Sequence, residues 1–165
     1  MKLMKSLSIV LLFFISSSSF ASEVPSLCTS NEVTYFSCQT DKGTLSLCGS
    51  KKGSKLEGIQ VRLGTTESLK FKYPESMDNS LGAFKYSRYT RPLVTYLNIS
   101  FESDSAKYGL YMDSSYEENP KKEDWAAGLS KTSGRNFEDL AVCSNHPFGS
   151  LAELEEILEN KDFLE

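Results

Sequence analysis

Two carboxylate pairs, Glu117 with Glu118 and Glu123 with Asp124, lie in one charged insertion between Ser114 and Asp124. Paired carboxylates are the residue types that cleave glycosidic bonds, one as acid and the other as base or nucleophile. That chemistry needs unlike surroundings, so that one carboxyl stays protonated while the other ionises. The insertion is polar and offers no apolar setting to raise a pKa, so it reads as a solvated loop. A carbohydrate-active enzyme using these carboxylates is the alternative reading of the chain. Histidine is the usual base beside a nucleophilic serine or cysteine. The single one, His146, precedes Pro147 and Phe148, where local packing or hydrogen bonding is its expected role. No catalytic residue set and no cofactor is expected.

Cysteine is the other residue type with chemistry to offer. Cys28, Cys38, Cys48 and Cys143 include no pair with the two-residue spacing of zinc sites, and no metal is expected. An even number in an exported chain reads as two disulfides. Sequence allows three connectivities. The stretch from Cys28 to Ser50 reads as a hairpin, Val33 to Thr40 and Thr44 to Ser50, joined by Asp41-Lys42-Gly43 with glycine at positive φ. With Thr40 facing Thr44, Cys38 and Cys48 share a face without being opposite each other. Cys28 approaches from the open end, where Cys48 lies. This placement favours Cys28 with Cys48 and leaves Cys38 for Cys143, tying the first strand to the last.

Binding residues are sought in two places. From Phe84 to Tyr96, Lys85, Arg88 and Arg91 interleave with Tyr86, Tyr89 and Tyr96. Tyrosine and arginine anchor interfaces through large area and fixed donor geometry, and Tyr86, Arg88, Tyr89 and Arg91 are the candidates here. The bland reading is a half-exposed strand whose tyrosines cover the core edge. The second place is Ser133-Gly134-Arg135-Asn136-Phe137, whose composition is that of an ordinary turn between strands. It is also similar to the Ser-Gly-x-x-Tyr motif of the periplasmic lysozyme inhibitors, with Phe137 in place of tyrosine. The resemblance implies a protruding loop, centred on Ser133, Gly134 and Arg135, that enters the cleft of a hydrolase.

These residues need elements to hold them. Lys2 and Lys5, the apolar run Leu7 to Ile15 and the small-x-small pattern Ser19-Phe20-Ala21 read as a signal peptide over residues 1–21, with cleavage near Ala21. The apolar run is too short for a membrane span. Losing Lys2 and Lys5 takes the basic count from 18 to 16 against 22 acidic side chains, and the net charge from −4 to −6. Such a surface argues against nucleic acid or anionic lipid as partner. Residues 22–165 are the size of one domain.

Alternation of apolar and polar residues marks Gly58 to Gly64 and Leu69 to Tyr73 as a second hairpin ended by Pro74. Phe84 to Arg91 follows as a strand. Leu93 to Glu102 and Lys107 to Met112 make a third hairpin, in which Val94, Tyr96, Asn98 and Ser100 oppose Leu93, Thr95, Leu97, Ile99 and Phe101, and the odd positions read as the core face. Ala126 to Lys131 and Phe137 to Cys143 complete the strands. Ser150 with Glu153 fits a capping box, and Leu151, Leu154, Ile157 and Leu158 recur at helical spacing. The fold class is therefore mainly β: an antiparallel β-sandwich or flattened barrel of about eight strands with one short C-terminal helix.

The order of Cys28, Glu32, Phe36-Ser37-Cys38, Ser46-Leu47-Cys48-Gly49-Ser50, Val61-Arg62-Leu63-Gly64, Tyr73-Pro74 and Cys143 resembles an uncharacterised group of bacterial exported proteins. The three N-terminal cysteines follow a C-x9-C-x9-C spacing. The resemblance implies a periplasmic or secreted β protein and brings no activity. Together these features point to a non-enzymatic binding protein that recognises another protein, as an inhibitor of or immunity protein against a cell-wall hydrolase would. An envelope-stability protein is the blander alternative.

Overall fold

A computed structural model describes residues 25–160. The signal peptide expected over residues 1–21, with its cleavage near Ala21, lies outside the described residues. Among the described residues, nine strands and a two-residue tenth make up two sheets. In the first, β1 (Glu32–Thr40), β2 (Gly43–Lys52), β3 (Lys55–Gly64) and β4 (Leu69–Tyr73) pair in chain order. In the second, β5 (Phe84–Arg91), β6 (Val94–Ser103), β7 (Ala106–Ser115), β8 (Asp124–Ser133) and β9 (Asn136–Val142) also pair in chain order. The short β10 (Glu159–Asn160) joins parallel to β5 and makes this sheet mixed. Neither sheet closes into a barrel. Among the described residues, no helix is long and apolar enough to cross a membrane.

The core lies between the sheets. Phe36, Leu45, Leu47, Ile59, Val61 and Leu63 face Phe84, Tyr86, Leu97, Ile99, Phe101, Leu110, Ala127 and Leu129 in one contiguous cluster. Phe101 is its aromatic centre: its ring stacks on Tyr73 at 4.5 Å and on Tyr108 at 5.2 Å, and meets Phe84 edge-on at 5.3 Å. Such pairs add about 0.5–1.5 kcal/mol each beyond their buried area. Because Tyr73 stands on β4 and the other rings on β5 to β7, the ladder joins the two sheets.

The first hairpin pairs one residue tighter than the sequence reading. Thr40 faces Gly43, leaving a two-residue loop of Asp41 and Lys42, and Gly43 has φ 115°. The Thr40 hydroxyl closes this loop by accepting from the Lys42 N–H at 3.1 Å and donating to the Gly43 carbonyl at 2.8 Å. Cys38 therefore faces Leu45, and a bulge at Tyr35 brings Thr34 opposite Cys48. The two cysteines stand on opposite faces of the sheet rather than on the same one, which separates them as partners more firmly than the expected register did. Cys28 bonds to Cys48 on the outer face, and Cys38 bonds to Cys143 on the core side. The second bond spans 105 residues, a separation worth on the order of 4–5 kcal/mol in lost unfolded-chain entropy. Two disulfides fit a chain that folds outside the reducing cytoplasm.

The outer face of the first sheet is polar yet buried. Ser37, Ser46 and Gln60 are shielded there together with Cys48. The N-terminal segment lies across them: the Ser37 hydroxyl donates to the Pro25 carbonyl, and the Leu27 N–H donates to the Ser46 hydroxyl. Arg62 holds this cover in place. Its guanidinium forms two bonds to the Glu32 carboxylate, at 2.7 and 2.8 Å, and a third to the Leu27 carbonyl at 2.8 Å, while its Nε donates to Gln60. Burial pushes the Glu32 carboxyl up, but bonds from Arg62 and the Thr29 N–H outweigh it and hold the group below the usual carboxylate range.

Two other expectations are corrected. Leu93, placed on the core face, sits in the β5–β6 turn at φ 68° and is exposed, because Pro92-Leu93 forms the loop. The C-terminal helix is a single 3-10 turn, Leu151–Leu154, and no side-chain capping bond forms at Ser150. Leu151, Leu154 and Leu158 are buried, whereas Ile157 is exposed. Turns carry the chain on through Leu158, whose N–H donates to the Leu154 carbonyl at 3.0 Å, before it pairs as β10.

Replacing Phe101 with alanine removes the centre of the ring ladder, and the unfolding free energy should fall by about 3–5 kcal/mol in urea denaturation. Alanine at the exposed Phe137 should change it by less than about 0.5 kcal/mol. Equal effects at the two positions would contradict the placement of the core.

Candidate protein-binding face

The strip from Phe84 to Tyr96 does not form one surface. Strand alternation splits it, since successive side chains point to opposite faces. Tyr86 turns into the core at 1% exposure, and its hydroxyl is buried with no hydrogen-bond partner. It is thus removed from the binding set. Arg88 shares its parity at the sheet edge and pairs with Glu155 at 2.8 Å. Lys85 pairs with Glu159 of β10. These residues border a cavity of about 790 Å³ beside β10; of its lining cations Lys85, Arg88 and Lys107, the first two are matched by Glu159 and Glu155. Tyr89 and Arg91 stand on the outer face. Tyr89 stacks on Tyr96 at 5.9 Å, and Arg91 clamps Glu117 with its two terminal guanidinium nitrogens, Nη1 to Oε1 and Nη2 to Oε2, the latter at 2.7 Å.

That clamp bears on the carboxylate pairs. The Arg91 bonds hold the Glu117 carboxyl below its usual range, the reverse of what a general acid needs. Glu123 lies 3.4 Å from the His146 ring, which also packs against Trp125 at 5.2 Å. His146 thus meets a carboxylate, an indole and the Pro147 carbonyl. Cys28, Glu32 and Cys48 come close enough to hold an ion, but both sulfurs are in the disulfide and the carboxylate is taken by Arg62.

The second sequence candidate stands differently. Ser133, Gly134 and Arg135 form the exposed β8–β9 turn, with Gly134 at φ 60° and open space around it. Beside the turn, Phe137 is 66% exposed and shares a sheet face with Thr132. It forms one wall of a shallow groove of about 380 Å³ on the outer face of the second sheet, lined also by Asn98, Tyr111, Asp113, Ser130 and Asp139. Glycines let two of the lining side chains lie close to the sheet. A Cβ on Gly109 would lie 2.7 Å from the Asn98 amide oxygen, and one on Gly128 would lie 2.9 Å from the Tyr111 hydroxyl. A side chain at either position would displace the one that covers it.

Two carboxylates give the groove its character. The Tyr111 hydroxyl donates to Asp139 at 3.4 Å. Burial first, and then the charge of Asp139, push the Tyr111 pKa up to about 12. Asp113 is half-buried, and burial pushes its carboxyl up to about 6. No cation offsets that burial, since neither Asp113 nor Asp139 forms an ion pair among the described residues. Sequence reading missed Asn98, Tyr111, Asp113 and Asp139 as site residues. The signal was present for part of the groove: with the odd positions of β6 read as the core face, Asn98 falls on the opposite one, and alternation in β7 places Gly109, Tyr111 and Asp113 together.

Since the folded pKa of Asp113 lies above its ordinary 3.8, the folded state binds the proton more tightly. The protein is therefore penalised at neutral pH and relieved as pH falls from about 6 towards 4. After discounting for solvent screening, Asp113→Asn should stabilise the fold by ~1 kcal/mol at pH 7.5 and much less at pH 4.5. Urea titrations across that range measure this, and parallel stability profiles would refute it. No family model, no curated protein and no solved structure matches the chain, so the reading of this face rests on its own chemistry.

Proposed function

We propose that the chain is a non-enzymatic periplasmic binding protein that recognises another protein through the β8–β9 turn and the adjoining outer face, as an inhibitor of or immunity protein against a cell-wall hydrolase. The observation that carries the reading is Phe137. A large aromatic ring two-thirds exposed beside a projecting Ser133-Gly134-Arg135 turn is what an interface anchor looks like before its partner covers it. The turn is braced by β8 and β9, so its loop entropy is already low when a partner arrives. The disulfide from β1 to Cys143 ties the strand that follows the turn back to the first sheet.

The likeness of Ser133-Gly134-Arg135-Asn136-Phe137 to the lysozyme-inhibitor motif supports a hydrolase cleft as the place where the turn docks. A cell-wall turbidity assay with purified lysozyme-type hydrolases tests this directly. Inhibition by the wild-type protein should weaken about 30-fold in Phe137→Ala, the loss of a hot-spot anchor of about 2 kcal/mol. Neither inhibition nor a stable complex with any hydrolase tested would remove the proposal.

A further inference from the structure

Resting on that reading, we infer that the groove between Phe137 and Asp113 receives a lysine or arginine side chain of the partner protein. Charge complementarity carries the choice of occupant. Two carboxylates open onto one groove, and neither is paired with a cation among the described residues. At the margins of this sheet Glu117, Glu155 and Glu159 are matched by Arg91, Arg88 and Lys85, whereas Glu102 of β6, Asp124 of β8 and Glu138 of β9 form no ion pair among the described residues. Asp113 and Asp139 differ from those three in sharing one groove, where a charge from outside can meet both. The walls suit a cation as well, because Phe137 and Tyr111 present ring surface to it. The Asn98 amide oxygen and the Ser130 hydroxyl add neutral acceptors. A desolvated carboxylate gains most from a guest that brings its own positive charge.

The groups around Asp113 set the pH behaviour. Tyr96 of β6 lies directly opposite it, Ala126 of β8 lies on its other side with Asp124 two residues along, and Asp139 of β9 lies beyond Ser130. Lys107, at the far end of the same β7 face, stands opposite Glu102. The cation should therefore bind best at neutral pH, and protonation of Asp113 should weaken it below about pH 6.

The probes are the capped tripeptides Gly-Arg-Gly and Gly-Lys-Gly, with Gly-Gln-Gly as the neutral control, titrated into purified protein and followed by backbone amide shifts. The basic peptides should shift the amides of Asn98, Tyr111, Asp113 and Asp139 at pH 7.5. Their affinity should fall about tenfold at pH 5, and at least tenfold in Asp113→Asn with Asp139→Asn, about one charge-assisted bond lost. Equal shifts with the glutamine peptide, no shifts with the basic ones, or undiminished binding in the double variant would each overturn the inference. Chitotriose shifting the same amides in place of the basic peptides would overturn it in favour of a glycan site. The two proposals fail separately. A hydrolase complex that needs Phe137 but keeps its affinity in the double asparagine variant removes this inference and leaves the function standing. Groove-specific binding of the basic peptides with no hydrolase bound removes the function alone.

Discussion

Everything in this fold depends on which face of each strand turns inward. A pleated strand sends successive side chains to opposite sides, so one shift of register exchanges an entire face between core and surface. In the first sheet the inward set is Phe36, Cys38, Leu45, Leu47, Val61 and Leu63; in the second it is Tyr86, Leu97, Ile99, Phe101 and Leu110. Bulges at Tyr35 and at the β8–β9 pairing around Leu129 and Ser130 adjust the alternation where the two sheets must stay in contact. The disulfides obey the same rule. Cys38 and Cys48 are on neighbouring strands, but opposite faces send one to Cys143 and the other to Cys28.

The two outer faces are then treated in contrasting ways. That of the first sheet is covered by the chain's own N-terminal segment, with Arg62 reaching from β3 to both Glu32 and Leu27. A charge this shielded is stable only when fully paired. The guanidinium has the planar donor geometry to satisfy a carboxylate and a carbonyl together, which a lysine does not. The surface pairs of the second sheet, such as Arg88 with Glu155, contribute far less, because solvent screens them. On its outer face the groove lined by Asn98, Tyr111, Asp113 and Asp139 opens beside the exposed Phe137 ring. That asymmetry makes it the better candidate for a binding face.

Local sequence determined much of the scaffold. Alternation in Gly58 to Gly64, Leu69 to Tyr73 and Leu93 to Glu102 identifies strands because burying one face of a sheet demands period two. The number and spacing of cysteines called for two disulfides, and the hairpin's position favoured the pairing found. Leu97, Ile99 and Phe101 were legible as core, whereas alternation did not separate the buried Val94 and Ser100 from the partly exposed Tyr96 and Asn98 on the opposite face. Tertiary structure decided the rest. Tyr86 and Tyr89 are the same residue type three positions apart, yet one is core and the other stacks on the outer face, because the register with β6 sets their parity. The segment from Leu151 to Leu158 is a 3-10 turn followed by further turns, and Glu159 and Asn160 then pair with β5. Asp113 and Asp139 stand 26 positions apart in the chain, and β7, β8 and β9 must align before they share a groove. Chain order records which residues alternate, but which distant residues face one another follows only from the pairing of strands.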